Sequence, residues 1–372
     1  MTVDGLYDLF CDALESLALK PGQQLVAALG GGADSQTILD LLMRYRQQHP
    51  QYDYLAIHLD HSFHPSSADW SSTIEEAAKA YGIPTIFEPL DVPVANRQSK
   101  EAAGREGRYQ RMAELTQNDA VLLLGQHRND QIETFFLQLK RGSGPKGLSS
   151  MARIQPWAGN RRLCRPLLSV SKEQILDYAT QRNLTWIEDD TNYDTSIERN
   201  FLRHDVVPVL EQRWPQFGQS VLRAAKLCAE QQQVMDELLL EKLHNQQSHT
   251  HHFPLLLLNQ RSEAMQRALL RTWLQEQKKP LPSYEQLEQI RRQALTASDD
   301  SQLQIQCDGY VVRYFQHALW CDVKLAKLPG DSLVTETNID LGKWGKLTVP
   351  TELVEGSNQL KLTFSLPAEK LA

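Results

Sequence analysis

The segment Gln24-Leu-Val-Ala-Ala-Leu-Gly-Gly-Gly-Ala-Asp-Ser35 decides how the rest of the chain is read. Gln24 to Leu29 is near-continuously apolar, as a parallel strand buried on both faces is. Three glycines follow, and an amphipathic pattern starts near Asp34 and Ser35. Strand, glycine turn and helix together make a phosphate cradle. Glycine lets backbone N–H groups approach an anion with no Cβ in the way, and a helix N-terminus adds unpaired donors and the positive end of its dipole. The segment lacks the Gly-Lys-Ser/Thr ending of a Walker A loop and the spacing of a G-x-G-x-x-G dinucleotide site. The same residues also suit a tight strand-to-helix turn with no ligand, so the flanking sequence has to choose.

Working outward, similar apolar runs recur at Tyr54–Leu59, Pro84–Leu90 and Ala120–Gly125, separated by helical patterns over 35–47, 69–81 and 101–115. Strands alternating with helices predict right-handed βαβ units, hence an α/β domain with a doubly wound parallel sheet. A further helix over 171–182 opens with Ser171 and Gln174, a capping-box signature. Beyond about Trp214 the texture becomes helical, with patterns over 217–243, 262–275 and 283–297, the last opening on a second capping box, Ser283 and Gln286. A hairpin then runs through Asp308-Gly309, a pair suited to a type I′ turn. Further β-like segments, 345–349 and 360–364, lie near the end. The expected division is 1–215, 216–325 and 326–372.

The 372 residues carry 41% hydrophobic and 23% charged side chains, which excludes a disordered or fibrous chain. No apolar run approaches the ~18 residues of a membrane span, and the acidic N-terminus does not resemble a signal peptide. Five scattered cysteines with no C-x-x-C pair argue against a disulfide framework, a zinc ribbon or an iron–sulfur site. A cytoplasmic protein with reduced thiols is expected. The net charge of −7 disfavours a polyanionic partner, but residues 134–172 hold eight basic side chains and no acid, which keeps an RNA contact in play.

In an open parallel sheet, ligands bind at the carboxyl ends of the strands near the switch in strand order. Three polar clusters are predicted there: Gly30 to Ser35, His58-Leu-Asp-His61, and Gln126 to Thr134. Each has a plainer reading. Asp34 suits a helix N-cap, Asp130 and Glu133 suit first-turn acids complementing a dipole, and His61 and His127 suit structural hydrogen bonding. Trp186 and Trp214 are expected in the core.

The residues also carry a resemblance. Gly-Gly-Gly-Ala-Asp-Ser at 30–35 is similar to the S-G-G-x-D-S loop of the PP-loop ATP pyrophosphatases. Within that superfamily the chain resembles the tRNA(Ile)-lysidine synthetases in seven ordered motifs: His58–His61, Glu101–Tyr109, Asn129–Thr134, Lys140–Met151, Arg165–Leu168, Trp186–Asn192 and Arg199–Arg203. The match covers about 22–215, with an extension to about 322. The resemblance implies a two-step reaction on the wobble cytidine of a tRNA(Ile) with a CAU anticodon. ATP activates C2 as an adenylate with loss of pyrophosphate, and the ε-amine of free L-lysine displaces AMP to form lysidine.

On that resemblance Gly30, Gly31, Gly32 and Ser35 are expected to hold the pyrophosphate, with Asp60 and His61 also on the nucleotide. Asp34 and Asp130 suit Mg²⁺. Asp130 and Glu133, three apart on one helix face, suit the lysine ammonium. Lys140, Arg141, Lys146, Arg199 and Arg203 suit tRNA phosphates; Arg105 and Arg108 are similar candidates. Residues 216–325 would then be a tRNA-binding domain and 326–372 a linker with a partial C-terminal domain. Relatives of this kind can be homodimers, although no interface is legible.

The chain departs from the pattern in three places. Gly30 replaces the leading serine, a loss of about 1.5–3 kcal/mol if that hydroxyl meets a charged group. Asn129 stands where Asp is usual, and the tail is shorter than the family's complete C-terminal domain. Alternatives are another PP-loop tRNA-modifying enzyme, or a non-catalytic tRNA-binding module with a decayed ATP site.

Overall fold

The computed structural model describes residues 2–60, 67–90, 100–245, 252–297, 303–323, 338–340 and 346–348. Residue contacts divide the chain into two units, Met1–Val234 and Met235–Ala372.

The first unit contains α1 (Val3–Glu15), β1 (Gln24–Leu29), α2 (Ala33–Gln48), β2 (Asp53–Asp60), α3 (Ser67–Ala80), β3 (Thr85–Pro89), α4 (Lys100–Leu115), β4 (Val121–Leu123) and α5 (Arg128–Lys140). It continues through α6 (Pro145–Leu148), β5 (Ile154–Trp157), β6 (Arg161–Cys164), α7 (Lys172–Gln181), α8 (Glu198–Phe201), a π turn at Leu202–Val206 and α9 (Val207–Arg213). The sheet order is β3-β2-β1-β4-β6-β5. β1 pairs in parallel with both β2 and β4, so strand order reverses at β1 and the switch point lies between β1 and β4. The expected doubly wound sheet is therefore present. The edge strand β5 is antiparallel to β6, a hairpin the sequence does not announce: Gln155, Pro156, Arg161 and Arg162 break any apolar run. Proline is tolerated there because an edge strand leaves ladder donors unused.

Alternation along β1 fills two cores. Leu25, Ala27 and Leu29 pack with α1, α2 and α7 through Phe10, Ile38, Leu42 and Ile175. Val26 joins Leu55, Ile57 and Leu59 of β2 and Met112 of α4 on the opposite face. A small cluster of Ile132, Val207 and Val221 holds α5.

α10 (Phe217–His244) spans the division between the units. The second unit adds β7 (His252–Pro254), α11 (Glu263–Glu276), α12 (Tyr284–Thr296), β8 (Gln304–Gln306), β9 (Tyr310–Phe315) and β10 (Ala318–Val323). Its antiparallel sheet has the order β7-β10-β9-β8, and Phe253, Trp273, Ile290 and Val312 are fully buried against one another. The capping box of Ser283 and Gln286 is present. The turn at 308–309 is not type I′: only Gly309 has positive φ, +76°, whereas that turn needs it at both positions. A short pair, β11 (Asn338–Asp340) with β12 (Lys346–Thr348), follows, and the expected strand at 360–364 lies outside the described residues. No helix among the described residues is long and apolar enough to cross a membrane.

Candidate functional site

Two glycines shape the carboxyl edge of the sheet. Gly31 has φ +88°, and a Cβ there would sit 2.9 Å from Ile74 Cδ1 and 3.0 Å from Ile187 Cδ1. Its carbonyl accepts from Ile187 N at 3.0 Å, which ties the 186–192 loop to the cradle. Just past β4, a Cβ on Gly125 would lie 3.0 Å from the backbone carbon of Asp34. Only glycine lets the start of α2 approach the end of β4 this closely. That approach puts the Asp34 backbone against the strand end that leads into Asp130.

Gly32 is the N-cap of α2 and supplies no side-chain cap, so Asp34 is the second helical residue and not the cap. Ser35 donates its hydroxyl to Gly32 O at 2.9 Å. A Cβ built on Gly30 or Gly32 would meet nothing within 4 Å, so the cradle faces open space. That space is a cleft of about 440 Å³, bounded by Gly30, Asp34, Leu59, Arg108, Gln126 and Asp189 among others. Beneath it, His58 lies buried, with Nδ1 3.0 Å from Leu29 O and Nε2 3.0 Å from Ser71 Oγ. The carbonyl can only accept, so Nδ1 carries a proton, and burial lowers the pKa of the ring, disfavouring a second one.

A second cleft of about 470 Å³ adjoins the first and shares Gly32, Asp34, Asp130, Ile187, Asp189 and Asn192 with it. Lys172, Tyr193, Arg203 and His204 belong to the second alone. Lys172 Nζ lies 2.9 Å from both oxygens of Asp34. The capping box of Ser171 and Gln174 fixes its backbone, and its N–H donates to Asn129 Oδ1 at 3.2 Å. Asn129 thus works through its amide oxygen, a contact that a carboxylate could equally make.

His127 caps α5. Its Nδ1 accepts from Asn129 N at 3.2 Å while Asp130 Oδ2 accepts from His127 N at 3.0 Å. The ring proton is therefore on Nε2, which lies 3.7 Å from Asp34 and 3.5 Å from Asp130. Glu133, 1% exposed, receives Arg203 Nε at 2.7 Å and Nη2 at 3.1 Å. Arg199 Nε stands 2.8 Å from Oε2, the oxygen that accepts from Arg203 Nη2, without pointing an N–H at it, and Arg199 Nη2 donates to Thr134 Oγ1 at 3.1 Å. Arg203 and His204 sit in the π turn, the kind of helix irregularity that re-aims side chains at functional sites.

The fold thus gathers Gly30, Gly32, Asp34, Ser35, Asp130 and Arg203 on the two clefts, while Gly31 lies within the cradle and Glu133 and Arg199 connect to the site through Arg203. Asp60 ends β2 next to Leu59, which lines the first cleft, and takes the Ser71 hydroxyl at 3.4 Å, and His61 lies outside the described residues. Lys140, Arg141 and Lys146 are exposed around the turn from α5 to α6, with Lys140 paired to Glu198. Trp214 is 55% exposed, contrary to a core position, and Trp186 lines the second cleft. Sequence reading missed Lys172, Gly125, Asp189 and Asn192 as site residues. The capping box at 171–174 and the Trp186–Asn192 motif were the available signals.

Comparisons with known proteins bear on this arrangement. A PP-loop domain profile matches residues 8–210, and a TilS substrate binding domain profile matches residues 253–320. The chain is 78% identical over 372 residues to the tRNA(Ile)-lysidine synthase of Idiomarina loihiensis, covering 100% of this chain and 83% of that relative. It is 38% identical over 359 residues to the Vibrio cholerae tRNA(Ile)-lysidine synthase, covering 96% and 78% respectively. Among solved structures, the U34-tRNA thiolase NcsA from Methanococcus maripaludis with its 4Fe–4S cluster aligns with a TM-score of 0.52 at 20% identity. That alignment covers 61% of this chain and 78% of that one, a likeness of fold alone.

Proposed function

The chain belongs to the tRNA(Ile)-lysidine synthase family, and we propose how its two clefts divide the reaction. ATP-dependent modification of tRNA(Ile) follows from that membership. The finer reading is that ATP occupies the first cleft while free lysine and the wobble cytidine of the CAU anticodon meet in the second. One observation carries it: Asp34 and Asp130 line both clefts, so a leaving pyrophosphate and an incoming amine share two carboxylates.

In the first step the cytidine C2 oxygen attacks the α-phosphorus and the bond to the β-phosphate bridge oxygen breaks. The 30–35 backbone and the N-terminus of α2 stabilise charge on the departing pyrophosphate. In the second step the lysine ε-amine forms a bond to C2, AMP leaves, and the amine proton passes to a carboxylate. Asp130 is placed for this, because its Oδ2 is taken by His127 N–H while, among the described residues, Oδ1 has only Arg203 at 3.6 Å. Glu133 is committed to Arg199 and Arg203, and we assign it the positioning of those two guanidinium groups.

Asp34 and Asp130 fit Mg²⁺. Both side chains are partly exposed and converge on His127, and no cluster of three or more metal-ligating side chains occurs among the described residues. That suits an ion held through one or two carboxylates, phosphates and water. When bound, Mg²⁺ neutralises charge on phosphate oxygens as pyrophosphate leaves. Lys172, 2.9 Å from Asp34, would add a further positive charge beside such an ion and the phosphates. Exposed Lys140, Arg141 and Lys146 suit the anticodon backbone. Residues 1–215 carry the chemistry in this reading, 216–325 hold tRNA, and 326–372 form a linker and a partial C-terminal β-containing domain.

The reading is tested by product analysis with MgATP, CAU-anticodon tRNA(Ile) and lysine. AMP and pyrophosphate in equal amounts, dependent on tRNA, are expected. Formation of ADP and phosphate contradicts it.

A further inference from the structure

Arg108 stands out among the cations of the first cleft. It lies on α4, one turn before Met112, and both side chains reach the cleft wall while Met112 is anchored in the core with Ile57 and Leu122. Positions four apart share a helix face, so the packing of Met112 directs Arg108 toward the sheet edge. Its Nε is buried and makes no hydrogen bond among the described residues. Among the described residues the ionisable groups that act on it are Tyr109, Arg105 and His58, with no carboxylate, and burial lowers its pKa.

Two other cations at the clefts are matched by carboxylates. Lys172 has Asp34 and Arg203 has Glu133. Arg165, below the cleft, donates to Gln126 Oε1 at 3.1 Å, Ala152 O at 2.8 Å and Gln155 Oε1 at 3.3 Å. Arg105 adds positive charge one turn earlier, its guanidinium 5.7 Å from the centre of the Tyr109 ring. A guanidinium taken out of water without an anion is unfavourable, and the arrangement is relieved when an anion enters.

The cradle of residues 30–35 already offers one anion site in this cleft. A nucleoside triphosphate cleaved between its α- and β-phosphates presents two anionic parts that separate, so a second fixed cation beyond the cradle has a distinct partner. We propose that Arg108 is a catalytic residue that binds the α-phosphate of ATP and then the phosphate of the AMP leaving group. Its N–H donors stabilise charge on the non-bridging α-oxygens in both displacements, and the fork of a guanidinium suits two such oxygens. The inference rests on the ATP-binding reading above and assigns one part of it to one residue.

The test is calorimetric titration of the full chain and of Arg108→Met and Arg108→Lys with ATP, AMP and inorganic pyrophosphate, each with Mg²⁺. Arg108→Met is expected to weaken AMP and ATP at least tenfold and to leave pyrophosphate within twofold. Arg108→Lys should fall between, since it keeps the charge and loses the fork. The unfolding midpoint of Arg108→Met should be unchanged or raised, because a half-buried charge with a buried, unbonded Nε is removed; a merely structural arginine would lower it. Unchanged AMP affinity in Arg108→Met, or equal losses for AMP and pyrophosphate, overturns the assignment to Arg108 while ATP binding by the parent stands. A parent chain that binds neither ATP nor AMP overturns the underlying reading as well.

Discussion

Glu133→Gln keeps the shape of a fully buried side chain and deletes the charge that two arginines converge on. The carboxylate is 1% exposed and lies 2.7 Å from Arg203 Nε and 2.8 Å from Arg199 Nε. Breaking a buried pair by neutralising one member costs about 3–5 kcal/mol. The Arg199 and Arg203 side chains are 24% and 30% exposed, so both can turn partly to water, which favours the low end, about 3 kcal/mol. At roughly 2–4 °C per kcal/mol for a unit of this size, the midpoint should fall by about 6–12 °C. Urea unfolding followed by circular dichroism should give the same loss with an unchanged slope. Asp130→Asn supplies the contrast: its side chain faces the cleft, and it should lose turnover with less than about 1 kcal/mol of stability. If Glu133→Gln stays within about 1 kcal/mol of the parent while turnover disappears, Glu133 acts on substrate and the positioning role is refuted.

Gly125→Ala would set a Cβ 3.0 Å from backbone carbon of Asp34, which cannot rotate away, so the start of α2 must shift. About 1–3 kcal/mol of stability and roughly 10- to 100-fold of turnover should be lost, and full activity would show that the approach is not needed. Gly30→Ser has free space, since a Cβ there meets nothing within 4 Å. If its hydroxyl meets phosphate, ATP should bind roughly 10- to 100-fold tighter, and an unchanged dissociation constant would place the hydroxyl elsewhere. His58 should add a pH dependence. Burial lowers its pKa below the ordinary 6.5, so as pH falls below that value the unfolded chain takes up a proton the folded chain refuses, and stability declines. Denaturation midpoints measured from pH 8 to 5 should slope down, and His58→Asn should flatten part of that slope; equal slopes would contradict it.

Features set by local sequence were legible. Buried parallel strands are continuous apolar runs, a glycine turn after the first is conspicuous, and the capping boxes at Ser171 and Ser283 use side chains three residues apart. Features set by tertiary closure were not. Lys172 meets Asp34 across 138 positions and Arg203 meets Glu133 across 70, so no spacing rule could have paired them. Asp130 and Glu133 were found as neighbours on one helix face, but only packing shows that one opens to both clefts while the other is enclosed by arginines. His127 is the structural hydrogen-bonder that the sequence suggests, but its place as the cap of α5 was not legible, because histidine is an uncommon N-cap. The edge hairpin β5–β6 carries polar residues because an edge strand need not be apolar.

The most direct measurement is incorporation of labelled lysine into a CAU-anticodon tRNA(Ile) transcript with MgATP, run beside Asp34→Ala and an elongator tRNA(Met) control. The account predicts incorporation into tRNA(Ile) that requires ATP and is lost in Asp34→Ala. It is contradicted if the tRNA binds and no lysine is incorporated, or if Asp34→Ala incorporates lysine as well as the parent does.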